Sequence, residues 1–154
     1  MNMKLAIISA IISAIAAPAM ADNTITVNLK NSTGGTLTLR QQTCRPDGTC
    51  TLPVTIPAGA TGKLQSNTQP DTFIRSFIAR YGYSDGTKLK SCQVSVSAYG
   101  PSSSWTGPGC EPNTFRHTFI KTDGTGSSPT CTTTAVATPD YERCIFSIDV
   151  TISN

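Results

Sequence analysis

The chain reads as an all-β protein: an antiparallel β-sandwich, or partly open barrel, braced by disulfides. Three observations predict it. Apolar and polar residues alternate strictly in several runs, clusters of turn-forming residues separate those runs, and six cysteines stand in a chain that opens with an export leader. Alternation with period two marks strands with one buried and one wet face. Short strands at such spacing build sandwiches and barrels.

Residues 1–21 are read as a secretory signal peptide. Lys4 supplies the positive start, "LAIISAIISAIAA" the apolar stretch, and Ala19 and Ala21 an A-x-A cleavage site before Asp22. The apolar stretch is too short to cross a bilayer. Residues 22–154 then form one domain, large enough to bury a real core. The compact leader predicts a bacterial protein that is secreted or periplasmic.

The strands follow in order. In "ITVNLK", Ile25, Val27 and Leu29 share a face, as do Leu37 and Leu39 in "TLTLR" and Leu52, Val54 and Ile56 in "TLPVTI". "TFIRSFIARYGY" reads as a strand with Phe73, Phe77, Ala79, Tyr81 and Tyr83 on one face; its Phe73/Phe77 and Ile74/Ile78 spacings leave a short helix as the alternative. "CQVSVSA" aligns Val94, Val96 and Ala98, and "FRHTF" aligns Phe115, His117 and Phe119. The longest run is "CIFSIDVTI", with Cys144, Phe146, Ile148, Val150 and Ile152 on one side. Between the runs lie "NSTGG", "RPDGT", "PAGATG", "SDGT", "PSSSWTGPG" and "KTDGTGSSP", all rich in residues that turn the chain.

Cys44, Cys50, Cys92, Cys110, Cys131 and Cys144 all follow the leader. An even set in an exported chain implies three disulfides. No C-x-x-C pair occurs and His117 is the only histidine, so a zinc site has no ligand set. Cys44 and Cys50 bracket "RPDGT", a turn that brings them together. The other four allow three pairings. Sequential bonds, Cys92–Cys110 and Cys131–Cys144, close shorter loops and are favoured over a Cys92–Cys144 bridge between core strands.

"GYSDG", Gly82 to Gly86, matches the G-x-S-x-G pattern of serine hydrolases. That elbow needs a strand before the serine and a helix after it. Here the following "TKLKSCQVSVSA" alternates as a strand, so Ser84 falls in a hairpin turn. Asp85 adjoins Ser84 too closely to orient a histidine, and His117, set between Phe115 and Phe119, reads as structural. Asp47, Asp85, Asp123 and Asp140 all lie in turn-like sequence, which singles out no carboxylate pair for glycosidase chemistry. No phosphate loop, cofactor fingerprint or calcium loop is present, so no cofactor is expected. Asn31-Ser32-Thr33 spells a glycosylation sequon.

Twelve Lys and Arg stand against nine Asp and Glu, for a net charge of +3, and removing Lys4 with the leader lowers it by one. The charge is small and spread along the chain without runs, which gives no argument for nucleic acid or an anionic membrane, and no nucleic-acid partner is expected. Recognition by loops is expected instead. "AYGPSSSWTGPGCEPN" carries the only tryptophan, Trp105, which joins Tyr99 and Tyr83 as candidate ligand contacts. Alternatively, Trp105 folds back over the end of the core. The strand rhythm and turn chemistry of "ITVNLKNSTGGTLTLRQQ" and "IPAGATG" resemble secreted β-sandwich modules, including lipid-binding ones of the aegerolysin type; the six cysteines are outside that pattern, and no family is assigned from it. The leading expectation is a secreted, non-enzymatic binding module for a host, cell-envelope or protein ligand. A lipid-binding or membrane-active sandwich is the second, and a small hydrolase or protease inhibitor the third.

Overall fold

The computed structural model describes residues 24–67, 74–84, 89–99, 110, 114–123 and 129–154. Residues 1–21, read above as a leader, and Phe73, Asp85, Trp105 and Glu111 lie outside these residues. Ten strands form two five-stranded sheets, and no helix occurs among the described residues. Sheet A has the order β3 (Cys50–Thr51), β5 (Thr61–Asn67), β1 (Thr24–Ser32), β10 (Ile145–Ser153), β9 (Thr130–Val136). Sheet B has the order β4 (Thr55–Ile56), β2 (Leu37–Arg45), β6 (Ile74–Ser84), β7 (Leu89–Tyr99), β8 (Arg116–Asp123). All pairings are antiparallel except β1 with β10, which run parallel at the middle of sheet A.

The alternating runs become these strands because their apolar sides meet between the sheets. Ile25, Val27 and Leu29 of β1 and Phe146, Ile148, Val150 and Ile152 of β10 are buried, facing Phe77, Ala79 and Tyr81 of β6 and Val94, Val96 and Ala98 of β7. Full burial of a side chain of this size contributes about 1.5–3 kcal/mol. "TFIRSFIARYGY" is a strand from Ile74 onward, as its aromatic alternation predicts.

"TLPVTI" is different from expectation. It is broken at Pro53 into β3, on sheet A, and β4, on sheet B. Pro53 has no amide hydrogen for a ladder, and the chain uses it to cross from one sheet to the other. Val54 is consequently 69% exposed rather than inward. The Pro53 carbonyl accepts a hydrogen bond from the Tyr81 hydroxyl at 2.8 Å, and the Val54 carbonyl accepts one from the Leu39 amide at 2.8 Å.

All six cysteines are paired. Cys44–Cys50 forms as the turn sequence predicts, and Gly48 in that turn takes the left-handed φ of 75°. The bond does more than close a turn: Cys44 lies on β2 of sheet B and Cys50 on β3 of sheet A, so it clamps one edge of the sandwich. The sequential pairing of the other four is overturned. Cys92 bonds Cys131 and Cys110 bonds Cys144. Register explains why. Cys131 sits opposite Ile152, near the end of β10, whereas Cys144 precedes its start. Eight residues of extended strand separate the two levels by roughly 27 Å. Cys92–Cys131 instead joins β7 to β9 across the sheets, while Cys110–Cys144 closes the opposite end, where the Cys110 amide donates to the Tyr141 carbonyl at 2.7 Å. Phe115 and Tyr141 pack on Phe146 at that same end, with ring centroids 4.9 and 5.5 Å away.

Candidate functional site

The outward residues of β1 and β10 stand side by side because the two strands pair in register. Asn28 lies opposite Asp149, and its Nδ2 donates to Asp149 Oδ1 at 2.7 Å. Asn28 also faces Lys63 on β5, and Lys30 faces Thr61 and Thr151. A bulge at Asp149/Val150 leaves Thr134 of β9 as an extra residue. A bulge bends its strand and re-aims side chains, and here it opens the outer face of sheet A into a groove.

One part of the groove, about 330 Å³, is lined by Asn28, Lys30, Thr61, Thr134, Asp149 and Thr151. Across the Asn28–Asp149 pair it continues as a hollow of about 280 Å³ along Ala135, Val136, Ala137 and Ser147. One side therefore offers amide, ammonium, hydroxyl and carboxylate groups, and the other offers small apolar surface, with Val136 half-exposed. Among the described residues, neither Lys30 nor Lys63 is tied up in an ion pair with a carboxylate, and the second oxygen of Asp149 accepts no hydrogen bond. Such unpaired donors and acceptors on rigid strands can fix the orientation of a polar ligand.

The residues singled out in the sequence are placed elsewhere. Tyr83 turns inward, 4% exposed, with its hydroxyl donating to Asn154 Oδ1 at 2.6 Å. It shares the face of Phe77, Ala79 and Tyr81, and that alternation outweighs its place beside the hairpin. It also lines a hollow of about 310 Å³ with Gly34, Gly35, Ser84 and Asn154. Tyr99 is the last residue of β7; its side chain, like Trp105, lies outside the described residues.

Ser84 ends β6 and pairs with Leu89, the first residue of β7, so the strand leads into a second strand as expected and not into a helix. Ser84 is exposed on the outer side of sheet B, whereas His117 pairs with Val96 and faces inward, half-buried between Phe115 and Phe119. Leu89 and Val96 are seven residues apart along β7, roughly 24 Å. Serine and histidine are not brought together. Asp140 belongs to a surface turn, where the Arg143 amide (3.0 Å) and guanidinium (2.7 Å) bind its carboxylate and hold it below the usual carboxylate range.

Sequence reasoning passed over Asn28 and Asp149. Both stand at the polar positions of alternating runs, where nothing distinguishes a ligand contact from a solvated residue. Their joint meaning depends on the parallel pairing of the first and last strands. No protein-family model and no curated protein matches this chain.

Proposed function

We propose that this chain is a secreted, non-enzymatic binding module that holds a host, cell-envelope or protein ligand against the outer face of sheet A. The observation that carries the reading is the groove on either side of Asn28 and Asp149, with polar groups left unpaired on a rigid floor. The separation of Ser84 from His117 lends support, since it leaves the serine without an imidazole base. Residence in an oxidising compartment is supported by the complete pairing of the cysteines.

The reading is tested by co-sedimentation of the purified mature chain with isolated bacterial cell envelopes. Wild type is expected to sediment with them, and Asn28→Ala combined with Asp149→Ala to lose about tenfold in affinity, in keeping with two lost polar contacts of ~1 kcal/mol or less each. Both side chains point outward, so the unfolding midpoint should barely move. Equal retention of the wild type and the double variant would remove the groove from the interaction.

A further inference from the structure

The modest net charge conceals a segregation that the linear sequence does not display. The strands of sheet B contain Arg40, Arg45, Arg75, Arg80, Lys90, Arg116 and Lys121 against one carboxylate, Asp123. The strands of sheet A contain Lys30, Lys63 and Asp149. Charges that look evenly spread along the chain are thus sorted by folding, with the basic groups gathered on one sheet.

Register shows which of them face outward. Arg80 stands in a row with Gln41 and Gln93, and its Nη2 donates to Gln93 Oε1 at 2.9 Å. Four residues along β6, another row runs from Arg45 to Arg116 across Ser76 and Ser97. Three strand spacings separate those two arginines, roughly 14 Å. The outward positions whose side chains are described on these strands include Arg45, Arg80 and Arg116 and no carboxylate, while Lys90 stands opposite the buried Tyr83 on the inward register. Arg45 and Arg40 are exposed and make no ion pair with a described residue. Arg80 is half-buried; its Nε is shielded from solvent and has no hydrogen-bond partner. A desolvated guanidinium without a counter-ion is costly to keep, and an arriving anion would offset that cost.

We infer that the outer face of sheet B binds an acidic polysaccharide, with the guanidinium groups of Arg45 and Arg80 taking its carboxylates. Guanidinium groups match carboxylates in bidentate fashion, and the hydroxyl and amide side chains between them suit a chain of sugar hydroxyls. A membrane fits this face less well, because its described exposed apolar surface reduces to Ile120, with no aromatic group to seat in a bilayer. The surface lies on the opposite sheet from the groove of Asn28 and Asp149, so either can fail alone.

Affinity electrophoresis of the mature chain in gels containing alginate, a polyuronate, or neutral dextran tests the inference. Retardation by alginate and not by dextran is expected at about 20 mM salt, weakening as salt rises, because bound cations of the polymer are released on contact. Arg80→Gln, and separately Arg40→Gln with Arg45→Gln, should each weaken binding about tenfold. Lys30→Gln with Lys63→Gln removes the same charge as the Arg40/Arg45 pair from the other sheet and should change it less than about twofold. Arg40 and Arg45 are exposed, so their variant keeps its fold even if Arg80→Gln does not. Failure of alginate to retard the wild type, an equal loss in the lysine variant, or binding to phosphatidylglycerol vesicles without binding to alginate would each overturn the inference.

Discussion

Asn31 is fully buried, and it commits both side-chain amide hydrogens to carbonyls: Nδ2 donates to Gly35 and to Ile56, each at 2.8 Å. Its Oδ1 accepts from the Thr33 amide at 3.0 Å and the Thr33 hydroxyl at 2.7 Å, so the side chain ties the β1–β2 turn to the end of β4. The sequon read at Asn31-Ser32-Thr33 is therefore a structural clasp in the folded chain, with its nitrogen already occupied. Tyr81 is a second buried polar residue with one specific partner, the Pro53 carbonyl, and burial raises its phenol well above the ordinary value near 10. The sign of the linkage follows from which state ionises first. Below pH 10 both folded and unfolded chains keep the proton, and the contribution to stability is at its full value. As the pH rises past 10 the unfolded chain releases the proton and the folded chain holds it, so stability falls. Tyr81→Phe should lower stability at pH 7 by about 1 kcal/mol through the lost hydrogen bond, yet lose less than wild type between pH 9 and pH 11. Urea unfolding midpoints at the three pH values check both halves of this expectation.

At the level of strands, β5 shows how a weak pattern can still be held in place. Its inward positions are Gly62, Leu64 and Ser66, with only one large apolar residue among them, and this is why "TGKLQSN" is not recognisable as a strand from its alternation. β9 escapes notice for a similar reason: Cys131 is buried, but most of "TCTTTAV" is exposed at the edge of sheet A. The strands that were legible, β1, β2, β6, β7, β8 and β10, are those whose apolar residues alternate, over a whole face in β1, β6, β7 and β10 and over shorter runs in β2 and β8. Gly62 is required by contact rather than by backbone angle. A Cβ there would overlap Ile56 Cδ1, approach Ile56 Cγ1 to 2.7 Å and meet Pro53 Cγ at 3.1 Å. Ile56 is itself buried, so it has little room to yield. Gly62→Ala should therefore destabilise the fold by about 1–3 kcal/mol, the usual cost of overpacking. A lower urea midpoint at unchanged slope is the expected signature. Gly34→Ala, with no atom within 4 Å of the added carbon, should leave the midpoint within ~0.5 kcal/mol of wild type.

Across the whole molecule, the first and last described strands meet: β1 and β10 lie side by side and parallel in sheet A, which leaves long-range pairing to define the topology. Alternation predicts a sandwich but says nothing about which strands are neighbours, and for that reason the fold class was legible while two of the three disulfides were not. The bonds that form are unequal in what they restrain. Cys44–Cys50 closes a separation of 6 residues, whereas Cys92–Cys131 closes 39 and Cys110–Cys144 closes 34. Loop-closure entropy assigns about 2 kcal/mol to the first and about 4 kcal/mol to each of the others. Paired Cys→Ser replacements should reproduce that order in urea unfolding under non-reducing conditions, with the Cys44/Cys50 variant the most stable of the three. Peptide mapping of the unreduced protein should recover fragments joining Cys92 to Cys131 and Cys110 to Cys144. Recovery of a Cys92–Cys110 fragment would contradict the register of β7 and β9. A Cys44/Cys50 variant as unstable as the other two would mean that this bond's clamp between sheet edges, rather than the loop it closes, sets its contribution.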